Sequence, residues 1–324
     1  MTDDAAGPRA AYHALHDDRP EQAFLAAQER GRLHHAWLLA GPEGLGKATF
    51  AYRAARRLLG AAPDPSRGAL GSDPVDRVCR LIEQDAHPDL LVLERQSEGG
   101  RLRKSISVEE ARALPEFFSK SPSMARYRVA IVDAADDLNP NSANALLKTL
   151  EEPPERGVLL LVAHSPARLL VTIRSRCRRL LFRPWDTSDV ARLLERQAGL
   201  RTGDAQMLAL MAGGSPGRAL RLADQGALEI DATARAVVMG DAPEDSELLR
   251  LADTLRGGEG QQRLELFFDR LAEAARERAE GERPETWGAL WDRLNRMPSE
   301  AASLNLDRAD VLFSALADIR RARA

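Results

Sequence analysis

The stretch GPEGLGK, residues 41–47, has the spacing G-x-x-x-x-G-K. Glycines at Gly41, Gly44 and Gly46 let a tight loop turn its backbone N–H groups toward an anion, and Lys47 adds a cation where a helix begins. Such a loop cradles phosphates. The next residue should be Ser or Thr, whose hydroxyl ligates Mg²⁺; here it is Ala48, and a hydroxyl arrives one position late, at Thr49. One helical step turns a side chain by about 100°, so Thr49 is no simple replacement. The other half of a phosphate site is an acid at the end of an apolar strand, and Asp133 ends RVAIVD. Hydrolysis would also need a carboxylate to polarise water. Ala134 and Ala135 come next, with Asp136 and Asp137 beyond, at a point where the chain is leaving the strand. A working cradle and a remnant turn that packs well are both compatible with these residues.

The elements that would position this chemistry follow in order. HHAWLL (34–39) is a short apolar run before the loop, and KATFAYRAARRLL (47–59) has helical spacing after it. Residues 60–88, rich in Gly, Pro, Asp and Ser, are expected to be an insertion with one short helix around Val75–Gln84. DLLVLE (89–94) is a strand candidate, SEGGRLRKS (97–105) a polar turn, and Ser107 ahead of Glu109 and Glu110 marks a helix start. YRVAIVD (127–133) and GVLLLVAHS (157–165) are buried strands flanking the helix of NSANALLKTLEEPP (141–154), which Pro153 and Pro154 end. Strands alternating with helices to about residue 184 predict a doubly wound α/β domain. Beyond Asp186 the pattern is helical throughout, broken by GGSPG at 213–217, and the tail predicts a helical bundle.

Whole-chain properties narrow the classes. The 324 residues leave room for two or three domains, and 44% hydrophobic with 29% charged residues is a globular composition. A net charge of −3 argues against a general electrostatic grip on DNA or on an anionic membrane. No apolar run is long enough to span a bilayer, and the acidic start lacks a signal core, so a cytoplasmic protein is expected. Cys79 and Cys177 alone provide neither a disulfide framework nor a four-cysteine zinc site. His34 and His35 have no third ligand nearby and are read as structural.

The most specific segments lie between 127 and 183. NSANALLKTLEEPP followed by LLLVAHSPARLLVTIRSRCRRLLF (159–182) resembles bacterial clamp-loader subunits of the AAA+ family. Ser175-Arg176-Cys177 matches their SRC motif, and GGSPGRAL (213–220) looks like the segment carrying their sensor-2 arginine, here Arg218. The resemblance covers nearly the whole chain. It implies an AAA+ P-loop parallel-sheet domain over 1–185, a small helical lid over 186–227 and an all-α C-terminal collar over 228–324.

It also implies roles. Gly41, Gly44, Gly46, Lys47, Thr49, Asp133 and Arg218 would hold ATP or ADP weakly, with Mg²⁺ only alongside the nucleotide. Arg176 would act in trans, as an arginine finger at a neighbour's ATP. Ala48 and Ala134 depart from the gamma/tau motor type and favour a stator-like subunit with little ATP hydrolysis of its own, a non-catalytic part of a DNA-directed DNA polymerase holoenzyme. Its implied partners are delta and gamma/tau subunits in a hetero-oligomeric ring, with the sliding clamp and primer-template DNA reached through the complex, and no membrane. Many relatives carry a four-cysteine zinc module after the P-loop helix; the stretch 60–87 has Cys79 alone, so zinc is not carried over.

Plainer readings stand beside these. Arg174, Arg176, Arg178 and Arg179 could form one solvated basic strip, His164 and Ser165 a satisfied strand end where a sensor-1 residue would sit, and Cys177 a small buried hydrophobe. An active gamma/tau-type ATPase using Thr49, Asp136 or Asp137 is the alternative function. A free-standing DNA-binding protein is disfavoured by the acidic balance and the lack of a basic, aromatic stripe.

Overall fold

The computed structural model describes residues 7–13, 16–98, 101–103, 105–240, 245–255, 260–281 and 283–324. The acidic N-terminal residues 1–6, Gly99, Gly100 and Lys104 lie outside the described residues. The chain divides into two compact units, Met1–Asp186 with Gly213–Arg218, and Thr187–Ala212 with Ala219–Ala324. The lid and collar expected separately thus share the second unit, while the GGSPG turn belongs to the first.

The first unit runs α1 (Arg19–Glu29), β1 (Ala36–Ala40), α2 (Lys47–Leu59), α3 (Arg77–Glu83), β2 (Leu90–Glu94), β3 (Ser97–Glu98), β4 (Arg101–Leu102), α4 (Val108–Ser119), β5 (Arg128–Asp133), α5 (Pro140–Glu151), β6 (Gly157–Ala163), α6 (Val171–Ser175) and β7 (Arg178–Leu181). Five strands form an all-parallel sheet in the order β2-β5-β6-β1-β7. Register pairs Ala40 of β1 with Ala163 of β6, and Asp133 of β5 with Glu94 of β2. Alternate strand residues point to opposite faces. Trp37, Leu39, Ile131 and Leu160 meet Phe24 of α1, Phe50 of α2 and Ile82 of α3. Leu38, Ala130, Val132 and Leu161 meet Leu114 of α4, Leu146 of α5 and Ile173 of α6. Both faces are covered, which is why the strands read as unbroken apolar runs.

Local signals account for the helix ends. Ser107 and Glu110 form a capping box, with Ser107 Oγ accepting from the Glu110 N–H and the Glu110 carboxylate accepting from the Ser107 N–H. Asn139 caps α5, with Pro140 in the first turn, where its missing N–H costs nothing. Two boundaries differ from the sequence reading. β1 begins at Ala36 rather than residue 34, because the His34 ring is engaged with the backbone of Ala36 and stacks on His35 at 4.4 Å. The polar turn at 97–105 contains the short antiparallel β3-β4 ribbon, with Ser97 opposite Leu102.

Two buried arginines on α2 organise the loops around the sheet. Arg53 and Glu21, each with a side chain 1% exposed, form an ion pair at 2.6 Å. Arg53 also donates to the carbonyls of Tyr12, His13 and Arg67, while Glu21 accepts from the Leu70 N–H. Arg56 donates to the carbonyls of Ala11 and Arg9 and stacks on the Tyr12 ring at 4.0 Å. In this way the N-terminal segment and the insertion after α2 are fastened to the sheet, with Cys79 packed against Tyr12 and Ala61.

The second unit is helical throughout its described residues: α7 (Thr187–Gln197), α8 (Thr202–Ala212), the body of α9 (Pro216–Asp224), α10 (Ala227–Met239), α11 (Asp245–Thr254), α12 (Gly260–Ala279), α13 (Pro284–Leu304) and α14 (Arg308–Arg323). Its core joins Val238, Phe267, Phe268, Trp287, Leu294 and Leu312 from four helices. Arg235 bridges Asp231 on its own helix to Glu277 of α12, with both carboxylate oxygens of Glu277 engaged. No helix among the described residues is long and apolar enough to cross a membrane.

Candidate functional site

β1 exits at Ala40 into the loop 41–46, and α2 starts at Lys47, so the strand–loop–helix order the motif requires is present. Gly44 and Gly46 have φ of 77° and 79°, in the left-handed region that favours glycine. At Gly41 the reason for glycine is proximity: a Cβ there would lie 2.3 Å from the Phe182 carbonyl oxygen beyond β7. The loop is also closed from the side by the segment 213–218. Ser215 Oγ donates to the Glu43 carbonyl at 2.8 Å, and the Gly217 N–H donates to the Gly44 carbonyl at 2.9 Å.

Lys47 is 2% exposed, and its ammonium turns back onto the Pro42 carbonyl of its own loop. Burial lowers its pKa to about 8, against the pull of Asp133, Asp136 and Glu43. Asp133 is pushed up to about 6, first by burial and then by Glu94, its register partner on β2, with Lys47 opposing. Each group is therefore biased toward its neutral form, which is what a cation and a carboxylate do when the pocket around them does not fully compensate their charge. Phosphate oxygens would supply the missing counter-charge to Lys47.

Of the candidate substitutes, the two carboxylates are engaged elsewhere. Ala48 and Thr49 are the second and third residues of α2, both half-buried, one helical step apart. The Asp136 carboxylate accepts from the backbone N–H groups of His164 and Ser165, tying the turn after β5 to the exit of β6. Asp137 pairs with Arg95 at 2.9 Å. Ala134 is 3% exposed and belongs to the core beneath α2. The strand end at His164 is thus anchored through its backbone, while the buried Nδ1 of its ring has no hydrogen-bond partner and burial, then Lys47, lowers its pKa.

Arg218 is exposed in the first turn of α9, its N–H donating to Ser215 Oγ at 3.2 Å. The segment carrying it is therefore brought to the phosphate loop by backbone contacts that no residue count could have foretold. Ser215 and Glu94 are functional neighbours that the sequence reading missed; the GGSPG turn was the one signal for Ser215, and strand register alone reveals Glu94.

Arg176 caps the C-terminal end of α6, two residues before β7. The phosphate loop follows the C-terminal end of β1, which is parallel to β7. Arg176 thus lies at the opposite edge of the sheet from the chain's own loop, about 13 Å of strand away. Its guanidinium is half-exposed, ion-paired to Glu151 at 3.1 Å and hydrogen-bonded to the Thr172 carbonyl at 3.1 Å. Of the four arginines, Arg174 and Arg176 are half-buried, while Arg178, over the Trp37 ring at 4.9 Å, and Arg179 are exposed. Cys177 is half-buried, and burial pushes its thiol up to about 12, so it is unreactive near neutral pH. Among the described residues no group of three or more His, Cys, Asp or Glu is placed to hold a metal ion.

A parallel sheet covered on both faces, with a glycine loop at its carboxyl edge, defines an α/β domain of the P-loop class. A family model described as "DNA polymerase III, delta subunit" matches residues 17–186, just over half of the chain. The chain belongs to that family. DNA polymerase III subunit delta' of Pseudomonas aeruginosa is 37% identical over 216 residues, 66% of this chain and 63% of that protein. DNA polymerase III subunit tau of Escherichia coli is 32% identical over 252 residues, 75% of this chain and 37% of that protein. The matches thus span less than two thirds of these relatives. A solved gamma subunit-related protein from Thermotoga maritima superposes with a TM-score of 0.49 at 17% identity, covering 95% of this chain and all of that one.

Proposed function

We propose that the chain is a stator-like subunit of a clamp loader, the counterpart of the Pseudomonas aeruginosa delta' subunit it is similar to. In this reading it sits in a hetero-oligomeric ring beside delta and gamma/tau subunits and helps load the sliding clamp onto primed DNA. Its own phosphate loop, built from Gly41, Gly44, Gly46, Lys47 and Thr49 with Asp133 and Arg218 near it, holds ATP or ADP weakly and turns over little or none. The absent hydroxyl at Ala48 removes a Mg²⁺ ligand, and Ala134 stands where a hydrolytic carboxylate belongs. The engagement of Asp136 and Asp137 with other groups weighs against the autonomous motor reading.

The observation that carries the proposal is the place of Arg176. A half-exposed guanidinium at the far edge of the sheet cannot serve the chain's own loop, but it is available to a phosphate presented by another subunit. A rigid planar fork supplied in trans stabilises charge that develops during phosphoryl transfer and is worth orders of magnitude in rate. Reconstitution with the motor subunits, clamp and primed DNA tests it. Arg176→Ala is expected to lower the complex ATPase at least about tenfold, while the purified chain alone shows no Mg²⁺-dependent turnover. Unchanged complex activity would remove the trans role, and turnover by the chain alone, lost on Lys47→Ala, would make the motor reading the better one.

A further inference from the structure

We infer that Glu151 is a positioning residue for Arg176, holding the guanidinium in the geometry in which it is offered to a neighbour's phosphate; this rests on the trans role proposed above. Glu151 is the last residue of α5, and Glu152 follows as its C-cap. A helix C-terminus carries partial negative charge and favours cations, so an acid at this end works against the stability of its own helix. It is ion-paired to Arg176, which comes from a different helix: Nη2 lies 3.1 Å from Glu151 Oε1. A second contact, Nη1 to the Thr172 carbonyl one turn back on α6, fixes the same group from another direction.

Two anchors matter for an arginine. The side chain has four flexible torsions, and an unheld guanidinium would have to be ordered each time it met a substrate. One of its five N–H donors is hydrogen-bonded, to the Thr172 carbonyl, and the ion pair with Glu151 leaves the others for an incoming oxyanion. The pair is also half-exposed, with Arg176 and Glu151 side chains 37% and 52% accessible. Screened pairs of this kind are weak, so Glu151 can hold the fork while a doubly charged phosphate competes for it successfully. A buried carboxylate would hold the arginine too tightly for that exchange.

The test compares Arg176→Ala, Glu151→Ala, Glu151→Gln and the Arg176→Ala/Glu151→Ala double variant in the reconstituted complex, measuring ATPase against ATP concentration. Glu151→Ala is expected to lower kcat roughly two- to fivefold with KM little changed, the size of effect an exposed pair can exert. Glu151→Gln, which keeps the length and the terminal oxygen of the side chain but not its charge, should recover part of the loss. In the Arg176→Ala background, removing Glu151 should cost nothing further, because its action passes through the arginine. Equal losses in both backgrounds, or an intact rate for Glu151→Ala beside a strongly impaired Arg176→Ala, would overturn the positioning role and leave the trans arginine standing. An intact rate for Arg176→Ala would overturn both. The thermal midpoint of the isolated Glu151→Ala chain should not fall below that of the parent, which separates positioning from general destabilisation.

Discussion

The Gly217 N–H donates to the carbonyl of Gly44 at 2.9 Å, joining two glycines 173 positions apart through backbone alone. A Cβ on Gly44 would lie 2.3 Å from Ser215 Oγ and 2.9 Å from the Arg218 nitrogen. The phosphate loop is therefore also a joint, held to the segment that bears Arg218.

Gly44→Ala should reveal this joint as a loss of stability. The Ser215 hydroxyl can rotate aside, but the Arg218 nitrogen is backbone, and φ of 77° is strained for any residue with a Cβ. The expected cost is about 1–3 kcal/mol in a urea unfolding curve. Gly31→Ala, at a positive φ but with open space around it, should cost about 1 kcal/mol and serves as the control for backbone strain alone.

The pH dependence of stability should carry the mark of Asp133 and Lys47. Asp133 has its folded pKa raised from 3.8 to about 6, so the folded chain holds more protons than the unfolded chain between those values. Its stabilising contribution is complete below pH 3.8 and is lost as the pH rises through 6. Asp133→Asn should remove that slope and raise stability at neutral pH, by on the order of 2 kcal/mol. Lys47 has its folded pKa lowered from 10.5 to about 8, so its contribution is present above 10.5 and is lost as the pH falls through 8. Lys47→Met should therefore stabilise the free chain at pH 7. Thermal midpoints of parent and variants from pH 4 to 10 would check both signs; a less stable Lys47→Met at pH 7 would show the ammonium to be well compensated.

Arg53 and Glu21 should behave as a buried pair whose halves depend on each other. Arg53→Met leaves the Glu21 carboxylate buried without its cation and three carbonyls without their donor, and should cost about 3–5 kcal/mol. The Arg53→Met/Glu21→Leu pair should recover part of that loss, since the uncompensated charge is gone, though the Leu70 N–H loses its acceptor. Chemical denaturation of the single and double variants measures the coupling.

Much of the fold was legible in the sequence because its signals are local. Helix α2 over 47–59, the cap at Ser107, the proline stop after α5 and the apolar strands at 128–133 and 157–163 each follow from the residues within a turn or two. The glycine spacing and Lys47 announced a phosphate loop for the same reason, and the missing hydroxyl at Ala48 was visible as a single letter. The resemblance at 141–182 supplied the family, which the match to residues 17–186 bears out.

What tertiary structure decided concerns pairs of residues remote along the chain. Which acid faces which depends on strand order: β2 beside β5 sets Glu94 against Asp133, and neither residue's neighbours in sequence predict it. Asp136 was available to chemistry on paper; folding gave it to the backbone of His164 and Ser165 because the β5 and β6 strands leave the sheet side by side. The burial of Arg53 and Arg56, from a helix whose charged residues look solvent-facing, follows from two loops crossing over α2 and presenting carbonyls there. Sequence fixes residue types and short-range geometry, since backbone propensity and capping act over a few residues. Which charge meets which partner is settled only when the sheet closes, because Coulombic and hydrogen-bonding energies depend on distance and burial rather than on position in the chain.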